Sequence, residues 1–316
     1  MSTTQQTVDL RLTAIRYAAQ DTNLYEFRRP DGAALEPVEP GAHIDITLPN
    51  GMMRQYSLVT ADGDPAAYMV GIKRDRASRG GSIFIHDKLR VGEVLKIGGP
   101  RNNFPLNEDA GHTVLIAGGI GITPICCMAQ RLKKLGRSFE LHYACRTRAE
   151  AAFFAELSAM PEARIHIDDE VGGFMDVAAV VAASRSDAHF YCCGPLPMLA
   201  AFEDATKALP PEQVHVEYFS AKDEAATGGG YVVELRKSGK EFTVPEGKTL
   251  LEVLLEGGVD VMYSCQEGVC GACETAVISG TPDHRDNILT EAERVASKTM
   301  MVCCSGSKSP RLVLDL

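Results

Sequence analysis

Three cysteines near the carboxyl end of the chain constrain its fold more than any other feature. The stretch SCQEGVCGAC places Cys265, Cys270 and Cys273 in a C-x4-C-x2-C pattern. This is the spacing of plant-type [2Fe–2S] clusters, for which a fourth cysteine follows further along the chain. The only later cysteines are Cys303 and Cys304, in the stretch MMVCCS, which is predicted to be an apolar strand, so one of these two is expected to complete the set.

Zinc is the alternative occupant of such a site, because tetrahedral sulfur sites accept either metal. Gly268 and Gly271 within the motif favour a cluster. A loop of small residues lets backbone N–H groups approach the sulfur atoms and stabilise a centre that is reduced and reoxidised, which zinc does not need. The spacing alone therefore favours iron–sulfur and leaves zinc open.

Composition limits the classes of function. The 316 residues predict two domains or three small ones, at about 150 residues per domain. No apolar run approaches the roughly 18 residues of a membrane-spanning helix, and the first residues lack an export signal, so we expect a cytoplasmic protein. There, ten cysteines suit metal or redox chemistry better than disulfides. A net charge of -10 makes nucleic acid and membrane poor partners.

The pattern of apolar residues divides the chain into three parts, a β domain, an α/β domain and an α+β domain. Short β runs separated by turn residues predict an antiparallel barrel or sandwich over residues 1–107. From His112, strands such as TVLIAGG and FELHYACR alternate with helical runs such as AEAAFFAEL, which predicts a parallel sheet with helices on its faces over residues 108–221. Residues 222–230 are predicted to be a flexible linker. Residues 231–316 start with a hairpin pattern and a helix, TLLEVLLEGG, with Thr at its start and glycines at its end.

Two glycine-containing turns in the α/β part suggest a dinucleotide site. AGGIGITPI, Ala117–Ile125, follows an apolar strand and precedes a helix, where Thr123 could cap the helix and Pro124 suits its first position. CCGP, Cys192–Pro195, follows a later strand. Ligands of open α/β sheets bind beyond the carboxyl ends of the strands, so two such turns in one small domain favour a nucleotide over two plain turns.

A second anion site is predicted in the β part. RQYS, Arg54–Ser57, offers a guanidinium, an aromatic ring and a hydroxyl on one strand. SRGGS, Ser78–Ser82, adds exposed backbone amides and another hydroxyl, and together the two stretches suit a single phosphate group. A plain surface turn is the alternative.

The order of these motifs carries a resemblance to a known family. RQYSL, KRDRASRGGS, GGIGITP, YCCGP and SCQEGVCGAC, followed by DHRD and MMVCCS, resemble the phthalate dioxygenase reductase family, which includes vanillate demethylase-type reductases. The resemblance covers essentially the whole chain. It implies an FMN-binding β-barrel, an NAD-binding α/β domain of the ferredoxin reductase type, and a C-terminal β-grasp domain of the plant-type ferredoxin class.

The resemblance also implies which residues touch the flavin. Tyr56 would pack along the ring system, and Ser57 would lie near the reactive ring nitrogen. The other contacts with the ring system and its side chain would come from Arg54, Gln55 and Lys73. The flavin phosphate would be held by Arg79, Gly80, Gly81 and Ser82. An aromatic residue near the flavin would be Phe219, although the neighbouring Tyr218 leaves that assignment open.

The nucleotide and cluster residues follow in the same way. The pyridine nucleotide would be received by Gly118, Gly119, Gly121, Thr123 and Pro124. Cys193, with Gly194 and Pro195, would lie beside the nicotinamide, so that Ser57 and Cys193 are the expected catalytic residues. In the family the fourth cluster ligand directly follows the Met-Val pair, which is Cys303 here and leaves Cys304 as a buried thiol.

The implied function is electron transfer. NADH delivers two electrons as a hydride and a [2Fe–2S] cluster accepts one, so a flavin must stand between them. The resemblance implies delivery to a terminal Rieske-type oxygenase acting on an aromatic or similar small substrate. The alternatives are another acceptor, namely a cytochrome, a ferredoxin or a small molecule, or a non-catalytic redox-sensing or zinc-stabilised module. Arg146 and Arg148 could reach a 2′-phosphate, so the sequence permits NADPH. Residues 231–316 carry 13 acidic and 9 basic residues, which would complement a basic docking patch.

Overall fold

The computed structural model describes residues 7–60, 64–75 and 80–316. The chain forms two compact units, the first ending at Phe219 and the second spanning Ser220–Leu316. The first unit contains a six-stranded and a five-stranded sheet, and the second contains a five-stranded and a two-stranded sheet.

The first sheet is antiparallel and closes into a barrel. Its strands are β1 (Thr7–Ala19), β2 (Thr22–Arg28), β3 (Ala42–Thr47), β4 (Met53–Ser57), β5 (Ala67–Lys73) and β6 (Val94–Asn102). They lie in the order β4-β3-β6-β1-β2-β5, and an antiparallel bridge between Leu58 and Val70 joins the two edges. Alternate apolar side chains such as Leu10, Phe27 and Ile97 fill the interior. The predicted β-barrel is confirmed.

One helix of the barrel is not visible in the sequence pattern. Helix α1 (Gly81–Lys88) begins within SRGGS, for which the sequence predicted an anion site or a surface turn but no helix. Gly80 precedes it with a φ of 90°, a left-handed conformation that glycine adopts at little cost. A helix that starts with two glycines lacks the usual start signals, so its pattern resembles a loop.

The second sheet is parallel and has helices on both faces. Its strands are β7 (Thr113–Gly118), β8 (Phe139–Cys145), β9 (Ala163–Ile167), β10 (His189–Cys193) and β11 (Val214–Glu217), in the order β11-β10-β7-β8-β9. The helices are α2 (Ile122–Leu135), α3 (Phe154–Ser158), α4 (Asp168–Val171), α5 (Val177–Ala183) and α6 (Leu196–Thr206). One core packs α2 against Leu115 and Tyr143, and the other packs α5 and α6 against Val114 and Phe190. The predicted α/β domain is confirmed.

The helix predicted from AEAAFFAEL is wrong in extent. The structure has a 3₁₀ turn at Arg148–Glu150 and then only the five-residue α3. Phe153 has a φ of 59°, and this left-handed residue separates the two pieces. Ala151 and Ala152 between them are buried in the core, so packing overrides the helical propensity of the alanines.

Hydrogen bonds and a shared core join the barrel to the α/β part of the first unit. The Gln20 N–H donates to the Ala149 carbonyl at 2.8 Å, and the Asn107 N–H donates to the Tyr191 hydroxyl at 2.8 Å. Phe104 lies in the same hydrophobic core as the inner face of the parallel sheet. The two sheets are therefore packed together within one unit.

The second unit has the β-grasp arrangement that the family implies. Its strands are β12 (Tyr231–Leu235), β13 (Glu241–Val244), β14 (Glu274–Ser279), β15 (Pro282–Asp283), β16 (Thr299–Met301), β17 (Gly306–Ser307) and β18 (Arg311–Leu314), with helices α7 (Leu250–Glu256) and α8 (Glu291–Ala296). The main sheet has the order β13-β12-β18-β14-β16, with β12 and β18 parallel. Thr249 caps α7 in a capping box with Glu252, and the helix ends at Gly257, as predicted.

The strand predicted from MMVCCS stops before its cysteines. β16 ends at Met301, and Cys303 and Cys304 lie in the turn that follows. Apolar residues continue through the turn because all of Val302, Cys303 and Cys304 are buried, so the sequence pattern alone does not mark the end of the strand. A turn brings both thiols towards the cysteine loop more easily than a strand, whose successive side chains point to opposite faces.

The predicted linker, residues 222–230, is part of the second unit and is hydrogen-bonded to the rest of it. The Ala226 N–H donates to the Cys304 carbonyl at 2.7 Å, and the Gly230 N–H donates to the Val244 carbonyl at 2.8 Å. The division into residues 1–107, 108–221, 222–230 and 231–316 stays a prediction. None of the helices in the described ranges is long and apolar enough to cross a bilayer.

Candidate functional site

The two stretches of the predicted phosphate site meet in the structure. A Cβ atom at Gly81 would lie 2.5 Å from Nε of Arg54, so only glycine leaves room for the guanidinium beside the start of α1. Arg54 is held in part by a hydrogen bond from its Nη1 to the Met53 carbonyl at 2.8 Å. The Asp75 N–H donates to the Ser82 hydroxyl at 3.2 Å. A guanidinium beside the start of a helix suits a phosphate group. Arg79 lies outside the described residues.

The RQYS side chains divide between the two faces of β4. Arg54 and Tyr56 pair across the sheet with buried isoleucines of β3, whereas Gln55 and Ser57 pair with Asp45 and His43 on the other face. Burial raises the pKa of the Tyr56 phenol above its ordinary range. Tyr56 and Ser57 would therefore approach a flavin from different sides of the strand.

Gln55 belongs to a buried polar group rather than to an open surface. Its Nε2 donates to Oδ1 of Asp45 at 2.8 Å, and Nη2 of Arg101 donates to Oδ2 of the same carboxylate at 2.8 Å. Burial, with a contribution from Arg101, lowers the pKa of the neighbouring His43 to about 4, so this imidazole is neutral at pH 7. The network fixes β4 against β3 and β6 and thereby positions Arg54 and Tyr56.

The two predicted nucleotide turns lie side by side at the carboxyl edge of the parallel sheet. A Cβ at Gly121 would lie 2.2 Å from the Cys193 carbonyl oxygen, and one at Gly118 would lie 2.6 Å from Cδ of Pro195. Gly194 approaches the backbone of Gly118 in the same way. The glycines are thus required for two loops to pack backbone to backbone, which leaves N–H groups at the edge where a pyrophosphate would lie.

The helix that follows the first turn starts differently from the prediction. Helix α2 begins at Ile122, so Thr123 and Pro124 are its second and third residues. The Thr123 hydroxyl donates to the Ile120 carbonyl at 3.0 Å instead of capping the helix. Pro124 is tolerated because the first N–H groups of a helix have no partner within it. A Cβ at Gly71 of β5 would lie 2.7 Å from Cγ2 of Thr123, so the turn packs closely on the barrel.

Cys193 has a neighbour that the sequence analysis did not identify. It is fully buried, and burial raises the pKa of its thiol well above the ordinary value. Its partner on the adjacent parallel strand is Glu217. Burial raises the pKa of this carboxyl to about 8, with a smaller opposing effect from a hydrogen bond with Cys193. The alternation of apolar and polar residues in VHVE indicates a polar face on this strand. That Glu217 faces Cys193 could be known only from the strand order.

Lys73 also has a partner from the other part of the unit. Its Nζ lies 3.3 Å from Oε2 of Glu150, in the 3₁₀ turn after β8. Cys145, at the end of β8, is close by, and burial raises the pKa of its thiol to about 11 while the Gly119 N–H and Lys73 act in the opposite direction. Glu150 and Cys145 were not predicted as site residues. Through these two residues, Lys73 of β5 lies near Gly119 of the nucleotide turn.

In the second unit three of the four predicted cluster cysteines lie close together. The Cys265 thiol interacts with those of Cys270 and Cys303, and all three are buried together with Cys273. The Glu267 N–H donates to Sγ of Cys265 at 3.3 Å, and the Ala272 N–H donates to Sγ of Cys270 at 3.4 Å. In the described part of the chain no three His, Cys, Asp or Glu side chains converge as a mononuclear metal site requires. A [2Fe–2S] cluster has two irons, so its four thiolate ligands need not converge on one point. Hydrogen bonds from N–H groups to sulfur are typical of such clusters.

Cys304 has different surroundings. A Cβ at Gly268 would lie 2.5 Å from its Sγ, so this thiol sits against the middle of the cysteine loop. Its Sγ also interacts with Cys303 and lies 3.8 Å from the Met301 carbonyl and 3.9 Å from the Ser305 hydroxyl. Cys303, which interacts with Cys265, is therefore the better candidate for the fourth ligand.

The DHRD segment connects the cysteine loop to the turn that holds Cys303. The Asn287 N–H donates to the Gly268 carbonyl at 2.8 Å, and the Arg285 N–H donates to the Ser305 hydroxyl at 3.2 Å. Asp286 is buried and accepts N–H bonds from Ile288 and Leu289 through Oδ2. The segment thus holds both halves of the cysteine site in place without supplying a thiolate.

Comparisons with known proteins agree with this geometry. The family described as 2Fe-2S iron-sulfur cluster binding domain matches residues 233–307. Phenoxybenzoate dioxygenase subunit beta of Ectopseudomonas oleovorans is 50% identical over 99% of this chain and 98% of that protein. Tetrachlorobenzoquinone reductase of Sphingobium chlorophenolicum is 49% identical over 100% of both. The structure titled phthalate dioxygenase reductase, a modular structure for electron transfer from pyridine nucleotides to [2Fe-2S], superposes with a TM-score of 0.75 at 38% identity and 98% coverage of both chains.

Proposed function

The chain belongs to the phthalate dioxygenase reductase family of NADH-dependent flavin and iron–sulfur oxidoreductases, and from this we propose that it delivers electrons from NADH to a terminal Rieske-type oxygenase. The oxygenase would act on an aromatic or similar small substrate, which the reductase itself would not touch. A cytoplasmic location, where NADH is available, is part of the proposal.

The residues divide the work between holding cofactors and excluding water. FMN and the [2Fe–2S] cluster supply the redox chemistry, namely acceptance of a hydride and release of single electrons. Arg54 and the start of α1 would hold the FMN phosphate, and Tyr56 would cover the ring. The paired glycine turns would hold NADH with its nicotinamide beside Cys193, which is fully buried at the end of its strand and would keep water from that side of the ring.

The observation that carries the proposal is the contact of the Cys265 thiol with those of Cys270 and Cys303, within a loop that donates N–H groups to sulfur. Such a site is suited to a reducible cluster. It lies on the same chain as the phosphate site of the barrel and the nucleotide turns of the parallel sheet. A chain with these three sites has what NADH-to-cluster transfer needs.

A second candidate is direct reduction of a quinone. It is favoured by the full-length match to a tetrachlorobenzoquinone reductase. The two candidates differ in the preferred acceptor. A kcat/KM for a substituted benzoquinone that exceeds the value for every oxygenase component tested would favour the quinone.

The test of the proposed route uses Cys270→Ser. We expect this variant to keep NADH-dependent reduction of a dye that accepts electrons from the flavin, and to lose electron delivery to an oxygenase component. Cys126→Ser, at an equally buried cysteine on α2, is the control and should keep both activities. Normal delivery to the oxygenase by Cys270→Ser would refute the route.

A further inference from the structure

We propose that Glu170 determines the choice of nucleotide by holding Arg148 away from a 2′-phosphate, so that the site selects NADH over NADPH. The inference rests on the proposed function, because it concerns the adenosine half of the nucleotide that the reductase oxidises. The sequence places Arg146 and Arg148 where their side chains could reach the 2′-phosphate of NADPH. The structure shows that one of them is already occupied.

The strand order places the adenosine half. Cys193 ends β10, Gly118 ends β7, Cys145 ends β8 and Ile167 ends β9, and these four strands are consecutive neighbours. With the nicotinamide beside Cys193 and the pyrophosphate at the glycine turn, the rest of the nucleotide extends over the ends of β8 and β9. Three strand intervals of about 4.8 Å span about 14 Å, which suits an extended dinucleotide.

Arg148 follows β8 and Glu170 follows β9, so they meet at this edge. Nε of Arg148 donates to Oε1 of Glu170 at 2.9 Å, and Nη2 donates to Oε2 at 2.7 Å. The guanidinium also lies over the ring of Phe154, 4.6 Å from its centroid. A bidentate pair with a stacked guanidinium fixes the side chain in one orientation. The pair takes two of the five N–H donors of Arg148 and neutralises its charge, so a 2′-phosphate would have to compete with Glu170 for the guanidinium.

The local charge acts in the same direction. Three acidic residues, Asp168, Asp169 and Glu170, lie near two arginines at this edge. The Asp169 N–H donates to the Arg146 carbonyl at 3.1 Å and so holds the two segments together. A 2′-phosphate would bring negative charge to a carboxylate-rich edge. A 2′-hydroxyl brings no charge and can donate a hydrogen bond to a carboxylate. In other α/β sheets an acidic residue accepts such a bond from the ribose of NAD.

An exposed aromatic residue at the same edge fits the adenine. Phe174 is 90% exposed, so its ring is open to a ligand. It follows Gly173, whose carbonyl is 2.7 Å from Nε2 of His166 near the end of β9. The ring is therefore presented on an anchored turn, where it can stack with an adenine.

The experiment compares three reduced nucleotides with a dye as acceptor, namely NADH, NADPH and reduced nicotinamide mononucleotide, which lacks the adenosine half. In Glu170→Gln we expect the ratio of kcat/KM for NADPH to kcat/KM for NADH to rise about tenfold, because one charge-assisted hydrogen bond to the 2′-phosphate becomes available. The double variant Glu170→Gln with Arg148→Gln should lose that gain. Phe174→Ala should raise KM for NADH and leave the mononucleotide unaffected.

The matched control is Asp187→Asn. Asp187 accepts hydrogen bonds from Arg185 at 2.9 and 2.7 Å, in an exposed pair of the same geometry. The pair precedes β10 and so lies at the amino ends of the parallel strands, away from the carboxyl edge. Asp187→Asn should leave the NADPH to NADH ratio unchanged. An unchanged ratio in Glu170→Gln, or an equal change with the mononucleotide, would overturn the inference while NADH oxidation by the wild-type protein still stands. Failure of the wild-type protein to oxidise any of the three would instead refute the proposed function.

Discussion

Cys303 and Cys304 are adjacent in the chain but differ in what their thiols contact. Cys303 interacts with Cys265, whereas Cys304 sits against Gly268. We therefore expect Cys303→Ser to lose the iron–sulfur absorption of the purified protein and Cys304→Ser to retain it. Iron and sulfide analysis measures the same property independently of activity. Loss of the iron–sulfur absorption in Cys304→Ser and its retention in Cys303→Ser would reverse the assignment.

Glu217 makes the stability of the first unit depend on pH. Burial raises its pKa from 4.5 to about 8, so the folded protein keeps a proton that the unfolded chain releases. Stability should therefore fall as pH rises from about 4.5 to about 8, because the folded state binds more protons than the unfolded state over that window. In Glu217→Gln, which imitates the protonated form, this part of the fall should disappear.

Thermal unfolding midpoints of wild-type and variant protein, measured from about pH 5 to about pH 9, would check this dependence. The unfolding midpoint of Glu217→Gln should rise relative to that of the wild type as pH rises. Glu246→Gln removes an exposed carboxylate of the second unit and is the control, with a constant difference expected. A constant difference for Glu217→Gln as well would show that its carboxyl is not held protonated.

At the scale of elements, the contact of β4 with the start of α1 is the most demanding feature of the barrel. A Cβ at Gly81 would lie 2.5 Å from Nε and 2.7 Å from Cγ of Arg54. Gly81→Ala should displace the guanidinium and weaken FMN binding about tenfold or more, the effect of losing a charge-assisted contact with a phosphate. Flavin content after gel filtration, and titration of the apoprotein with FMN, measure the change.

The control for that substitution is Gly228→Ala, where an added Cβ meets no atom within 4 Å. It should leave flavin affinity at the wild-type value. Equal flavin affinity in Gly81→Ala and wild type would show that Arg54 does not hold the phosphate.

Most elements could be predicted from the sequence, and the exceptions have physical causes. The six barrel strands, the parallel strands and α7 follow from periodicity and from caps such as Thr249. Helix α1 was missed because it begins with glycines. The helix at residues 149–157 was overestimated because a left-handed Phe153 and buried alanines interrupt it. Local propensity cannot report such tertiary effects.

At the scale of the whole molecule, the motifs identified the cofactor classes but not the partners of the site residues. Glu217 lies beside Cys193, and Glu150 beside Lys73, because strands far apart in sequence are neighbours in space. The pair of Arg148 and Glu170 depends on the same strand order. Sequence spacing fixes a cysteine loop, in which the ligands are local, far better than a site assembled from the ends of several parallel strands.

The most direct test of the central claim is a titration of the purified protein with NADH in the absence of oxygen, followed by visible absorbance. We expect overlapping flavin and iron–sulfur bands that bleach together. A flavin takes two electrons and the cluster one, so full bleaching should need about 1.5 equivalents of NADH per chain. A flavin spectrum without an iron–sulfur contribution, bleached by about one equivalent, would contradict the account.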